Sequence, residues 1–270
     1  MRARGFIGVI HLSPLPGDPA HRGEGFGAAE QHALSDADAL AKGGVDGLLV
    51  ENFGSVPFPK GTAGHRLPPH QVATLAVLVR TLRDRFDLPV GVNCLRNDAR
   101  SAVGIAAAAG ADFVRINVHT GAYVTDQGVI EGEADETLRY RQSLGAADVA
   151  LLADVLVKHA HPLVPVSPEQ ATHECLDRGL ADGVIVTGDA TGDPVSGALL
   201  ARVRAAAGVR PVLIGSGLNP DNADELAPLA DGAIVGTWLK RDGVVHQPVD
   251  PARVRALATA LRNRFHLPGN

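Results

Sequence analysis

The chain has 270 residues, 45% of them hydrophobic, enough for a large core and close to the roughly 250 residues of one α/β barrel. Its 31 glycines and 18 prolines stay below the roughly 25–30% of low-complexity chains, which excludes disorder, collagen and coiled coil. A net charge of −5 without a lysine or arginine run argues against nucleic acid or an anionic bilayer as partner, but leaves room for a small anion at one local positive site.

The N-terminus starts basic, but its apolar run breaks at Ser13-Pro14 and does not read as a signal peptide. No later run approaches the ~18 apolar residues of a membrane span. Cys94 and Cys175 form neither a disulfide framework nor a metal-ligand spacing. The expected setting is cytoplasmic, with no integral membrane association.

Eight short apolar, β-branched runs follow in order: Phe6–Leu12, Gly47–Glu51, Val90–Asn93, Phe113–Val118, Val149–Val157, Gly183–Thr187, Pro211–Ile214 and Gly232–Gly236. Their length and continuity fit strands buried on both faces of a parallel sheet. Helical patterns lie between them. Val72, Leu75, Val79, Leu82 and Phe86 step by three and four. Ser167-Pro168-Glu169-Gln170 reads as an N-cap with a capping-box glutamine, and Asn219-Pro220 and Asp250-Pro251 repeat the cap-then-proline pattern. Gly110 and Gly179 sit where helices should stop. Residues 43–50, 109–116, 179–186 and 229–236 echo one another, each with an aspartate before a strand. Asp46, Asp112, Asp182 and Asp231 thus belong to the stability face of a barrel. The predicted architecture is a single (β/α)8 TIM barrel over residues 1–270. An open doubly wound sheet is disfavoured, because no GxGxxG follows the first strand.

In such a barrel the chemistry gathers at the C-terminal strand ends. Along the fourth run Val114, Ile116 and Val118 should face helices, while Arg115, Asn117 and His119 should face the mouth. The fifth run offers Asp154 and Lys158. Other strand ends bring His11, Glu51-Asn52, Asn93 and Thr187-Gly188-Asp189. The last two strands lead into Gly215-Ser216-Gly217 and Gly236-Thr237, the loops that often hold phosphate on backbone N–H groups. The pair His159 and His161 is a weak metal signal, and no metal site is assigned. One tryptophan and 4% aromatics leave little material for an aromatic surface.

The segments IGVIHLSPLPG (7–17), VENFGSVPFPK (50–60), GVNCLRND (91–98), VRINVHTGAYVTDQGVIEG (114–132), DVLVKHAHPL (154–163), PVLIGSGLNPDN (211–222) and ADGAIVGTWLKRDG (230–243) together resemble the BtpA family. That family includes a photosystem I biogenesis factor and its bacterial relative SgcQ. The resemblance implies a barrel. It also implies a role in stabilising photosystem I proteins at the thylakoid, although relatives in non-photosynthetic organisms and beside sugar-uptake genes fit a metabolic enzyme better. His161 and Cys94 depart from the family pattern and make poor essential groups.

The leading expectation is an enzyme acting on a phosphorylated sugar or related small phosphometabolite, by lyase, isomerase or glycosyl-transfer chemistry. Asp154 and Glu51 would serve as general acid and base, Arg115, Asn117 and His119 would orient the substrate or stabilise developing negative charge, and His11 is a further catalytic candidate. Lys158 would hold an anion or, as a second role, form an imine. Gly215, Ser216, Gly217, Gly236, Thr237, Thr187, Gly188, Asn93 and Asn52 would bind substrate and phosphate. No cofactor is expected. A non-enzymatic assembly factor is the first alternative. A hydrolase using a divalent metal on His11, His119, Asp154 and Glu51 is the second. A homo-oligomer is expected from fold analogy alone.

Overall fold

The computed structural model describes residues 4–188 and 190–266; Asp189, placed above at a strand end, lies outside them. In chain order the strands are β1 (Gly5–His11), β2 (Gly47–Glu51), β3 (Val90–Asn93), β4 (Phe113–Ile116), β5 (Ala122–Thr125), β6 (Gly128–Glu131), β7 (Ala150–Val155), β8 (Ala160–Pro162), β9 (Gly183–Val186), β10 (Val212–Ile214) and β11 (Gly232–Val235). The helices are α1 (Phe26–Gly43), α2 (Pro69–Arg85), α3 (Ala99–Ala109), α4 (Ala134–Ser143), α5 (Pro168–His173), α6 (Gly197–Ala207), α7 (Ala223–Leu226) and α8 (Pro251–Leu261). Strands β1, β2, β3, β4, β7, β9, β10 and β11 are parallel and close into one barrel, with β11 paired back to β1. These are the eight apolar runs, and the architecture is the TIM barrel.

Both faces of these strands are buried, which is why the sequence reads as runs rather than alternation. Ile7, Val9, Leu49, Phe113, Leu152, Ile185, Leu213 and Ile234 point inward and fill the barrel. Ile10, Leu48, Val50, Val114, Ile116, Leu151 and Val184 point outward against the helices.

The four echoed aspartates pin the strand starts in pairs. Asp46 accepts from the Phe6 amide (2.7 Å), Asp112 from Val90 (2.9 Å), Asp182 from Leu151 (2.8 Å) and Asp231 from Val212 (2.8 Å). The second, fourth, sixth and eighth barrel strands, β2, β4, β9 and β11, thus each tie the aspartate at their start to the barrel strand before them.

Three local expectations are corrected. Ser167 caps α5 by accepting from the Gln170 amide, but the Gln170 side chain turns to Glu174, so the capping box is one-sided. Asn219 does not start a helix at Pro220. Its side chain accepts from the Asp221 and Asn222 amides in a turn, and α7 begins at Ala223. Val118 and Val157 leave the barrel strands. They pack with Tyr123 and Ile130 beneath a small antiparallel sheet, ordered β6-β5-β8, beside the mouth. Among the described residues, no helix is long and apolar enough to cross a membrane.

Candidate active site at the barrel mouth

A cavity of about 540 Å³ opens at the C-terminal ends of the strands. It is lined on one side by His11, Glu51, Arg96, Arg115, Asn117 and Lys158, and on the other by Gly215, Ser216, Gly217, Gly236 and Thr237.

Strand alternation turns Arg115 inward from β4, and Asn117 follows just beyond its end. Arg115 Nε and Nη2 donate to the two oxygens of Asp154 at 3.1 and 3.0 Å, and Asn117 Nδ2 adds a third bond at 2.8 Å. All three residues are buried. Burial alone would disfavour the Arg115 charge, but Asp154 and Glu51 outweigh it and raise the Arg115 pKa. Asp154, expected as a general acid or base, does not line the cavity, because three donors close off its carboxylate. Asn117 Oδ1 is buried and has no protein partner. A ligand hydroxyl or N–H would satisfy it.

His11 ends β1, and its Nε2 stands 3.7 Å from Glu51 Oε1, too long for a hydrogen bond but close enough for a charge contact. Asn93 Nδ2 donates to Glu51 Oε2 at 2.7 Å and holds the carboxylate still. Phe53 packs against the His11 ring at 4.5 Å. Burial first, then the charges of Lys240, Lys158 and Arg115, keep the His11 pKa well below the usual range. A neutral imidazole therefore sits beside a carboxylate. His11 Nδ1 is buried without a partner.

Lys158 lies three residues beyond β7. Its amide donates to Thr187 Oγ1 at 3.0 Å, and its carbonyl accepts from Arg96 Nη2 at 2.7 Å. Burial, reinforced by Arg115, lowers the Lys158 pKa to about 8.

Across the cavity, Ser216 Oγ accepts from the Gly188 amide (2.8 Å) and donates to the Asp193 carbonyl (2.9 Å), so this hydroxyl ties two loops together. Gly217 has a φ of +69°, and a Cβ there would collide with the Pro194 backbone. Among the described residues, no protein acceptor faces the amides of Gly217 and Thr237. These are free donors at the lining of the cavity.

Several sequence candidates stand elsewhere. His119 is directed away from the cavity, and its Nε2–H donates to the Gly179 carbonyl at 2.7 Å. Asn52 braces Leu95 through both side-chain atoms. Asn93, Thr187 and Gly188 support Glu51, Lys158 and Ser216 in turn. The four residues of the metal-hydrolase reading do not converge, since His119 and Asp154 lie outside the cavity. Among the described residues, no group of three or more His, Cys, Asp or Glu could hold a metal ion.

Sequence reasoning missed Arg96, Phe53, Phe58 and Trp238. Arg96 stands three residues past β3, and Phe53 two past β2, where only the strand-end residues themselves were weighed. The scarcity of aromatics misled, because Phe53, Phe58 and the single tryptophan all gather at this cavity.

The buried histidines set the acid behaviour. Burial first lowers the pKa of both His11 and His119, although the Gly179 bond works against it at His119. In the unfolded chain both take protons near pH 6.5. The unfolded state then binds more protons, so stability should fall as pH drops below about 6.5. Urea midpoints at pH 7 and 5.5 should differ in that direction, and His119→Gln should shrink the difference. An unchanged gap in the variant would contradict this account.

The profile of the BtpA family matches residues 2–263, and the chain belongs to that family. It is 48% identical over 255 residues to the photosystem I biogenesis protein BtpA of Synechocystis sp., covering 94% of this chain and 87% of that one. It is 46% identical to an uncharacterized protein of Thermococcus kodakarensis, covering 93% and 92%. Among solved structures it resembles N-(5'-phosphoribosyl)anthranilate isomerase from Pyrococcus furiosus, with a TM-score of 0.56, 14% identity and coverage of 96% and 99%. Thiamine phosphate pyrophosphorylase from Pyrococcus furiosus is similar, with a TM-score of 0.57, 16% identity and 97% of both chains covered. At these identities the likeness is one of fold.

Proposed function

We propose that this BtpA-family barrel is an enzyme that binds a phosphorylated sugar or related small phosphometabolite and moves protons on it. The observation that carries this is one cavity with a neutral His11 beside Glu51 on one wall and free backbone amides on the other. A volume of about 540 Å³ falls within the 300–1,000 Å³ of small-molecule sites. The two barrels named above both carry a phosphorylated compound in their names, which agrees with this reading but does not carry it.

In this reading Glu51 is the general base, because Asn93 orients it without filling both of its oxygens. Neutral His11 supplies or polarises on the other side. Asn117 Oδ1 receives a substrate hydroxyl. Arg115 stabilises negative charge that develops in the reaction, with Asp154 holding it in position. The amides at Gly217 and Thr237 take the phosphate. Their partial positive charge is fixed in place and needs no reorganisation when the anion arrives.

The assembly-factor alternative is supported by the name of the Synechocystis relative. Exposed Val124 and Val129, opposite one another on β5 and β6, would be its contact surface.

Inorganic phosphate is the simplest probe of the anion site, and Thr237 is the position to alter. Gly217 would be a poor choice, since any side chain there strikes Pro194. Phosphate should raise the melting temperature of the wild type, and Thr237→Glu should weaken its binding at least tenfold, about 1.4 kcal/mol, through like-charge repulsion. Equal stabilisation of both proteins would place the anion elsewhere and remove this assignment.

A further inference from the structure

Lys158 differs from the other cations at the mouth. Arg115 is locked to Asp154, and Arg96 donates to the Lys158 carbonyl. Among the described residues, Lys158 Nζ has no hydrogen-bond or ion-pair partner, although it lines the cavity. The carboxylate that would neutralise it from its own strand, Asp154, is taken by Arg115 and Asn117. Glu51 is held by Asn93 and faces His11. The Lys158 backbone is fixed at both N–H and C=O, so a rigid anchor presents a free amine to the cavity. A lysine that served only to hold an anion could be an arginine. Four of the 25 Lys and Arg residues are lysines, and of these Lys42 is paired to Asp38 and Lys240 is buried against Asp36.

We propose that Lys158 is a covalent nucleophile that forms an imine with the carbonyl carbon of an open-chain aldose or ketose phosphate bound in this cavity. This rests on the function proposed above and narrows its substrate to carbonyl compounds. The neutral amine adds to the carbonyl carbon to give a carbinolamine. The carbinolamine hydroxyl takes up one proton and leaves as water, and the C=N bond forms. The protonated imine withdraws electrons from the neighbouring carbon. Glu51 then removes a proton, either from that carbon or from a hydroxyl one carbon further, which cleaves the carbon–carbon bond. Either route leaves an enamine, and in the cleavage the departing fragment leaves as an aldehyde. Glu51 returns its proton to the enamine carbon and restores the protonated imine, and water then adds to it and releases the amine, so no oxidant or reductant is consumed.

The surroundings favour the neutral amine that this chemistry needs. Burial is the largest effect, Arg115 and Arg96 add to it, and Glu51 and Asp154 oppose it, leaving the pKa at about 8. His11 and His159, which also line the cavity, are both shifted toward the neutral form and add no fixed positive charge.

Borohydride trapping on the full chain tests the proposal. Dihydroxyacetone phosphate, glyceraldehyde 3-phosphate and ribose 5-phosphate would each be offered beside their unphosphorylated counterparts, and reduced adducts mapped by peptide mass. The expected result is an adduct on the Lys158 peptide at least tenfold above that on Lys42 or Lys60, rising between pH 7 and 9. Lys158→Arg, checked for an unchanged fold by circular dichroism, should give none. No Lys158 adduct from any of these compounds, or equal labelling of Lys42 and Lys60, overturns the proposal. If the phosphorylated compounds raise the melting temperature yet leave no adduct, phosphate binding stands and the imine falls. If dihydroxyacetone is trapped as efficiently as its phosphate, the imine stands and the phosphate reading falls.

Discussion

Replacing Asp154 with alanine is expected to cost about 3–5 kcal/mol of stability, because it leaves Arg115 charged and buried without its ion-pair partner. The pair is bidentate and carries a third bond from Asn117, so removing the carboxylate strips three donors at once. Turnover should be lost with it, since Arg115 and Asn117 would no longer point at the cavity. Asp154→Asn keeps the shape and one acceptor and should recover part of the stability. Urea unfolding reads the result, as a lower midpoint at unchanged slope. A loss below about 1 kcal/mol would mean that the pair is not the keystone its burial suggests.

Glu51→Gln should act in the opposite way, with little change in stability and a fall in turnover of about 10²–10⁴-fold. The amide oxygen can still accept from Asn93, so the side chain keeps its place while it loses its basicity. KM should move little, because the proposed function gives substrate binding to Asn117, Arg115 and the glycine loops. A variant with nearly full turnover would take the general-base role from Glu51.

The barrel was legible in the sequence because strands buried on both faces leave continuous apolar runs, and because aspartates recur at fixed places before alternate strands. Strand ends were less legible. Val118 and Val157 extend their runs by composition alone, and the sequence has no local signal that they turn into a separate small core. Alternation placed Arg115 and Asn117 inside correctly. It failed at His119, because the chain leaves the strand at Ile116 and the two-residue period no longer governs direction. Asp154 showed its type and face but not its partners, Arg115 and Asn117, whose three hydrogen bonds occupy its carboxylate outside the cavity lining. Glu51, Lys158 and the two glycine loops converge on one cavity as strand-end residues of a barrel should. Arg96 and Phe53 lie a few residues beyond strand ends, where only the folded loop shows which way a side chain turns.

The most direct test compares thermal unfolding with a set of sugar phosphates against the same sugars without phosphate. A phosphorylated ligand at ~100 times its dissociation constant adds about 2.7 kcal/mol, a rise of roughly 5–10 °C for a chain of this size. The account predicts such a rise from at least one phosphorylated compound and none from its dephosphorylated partner. A melting temperature that no phosphorylated compound moves, or that the bare sugar moves equally, would contradict it.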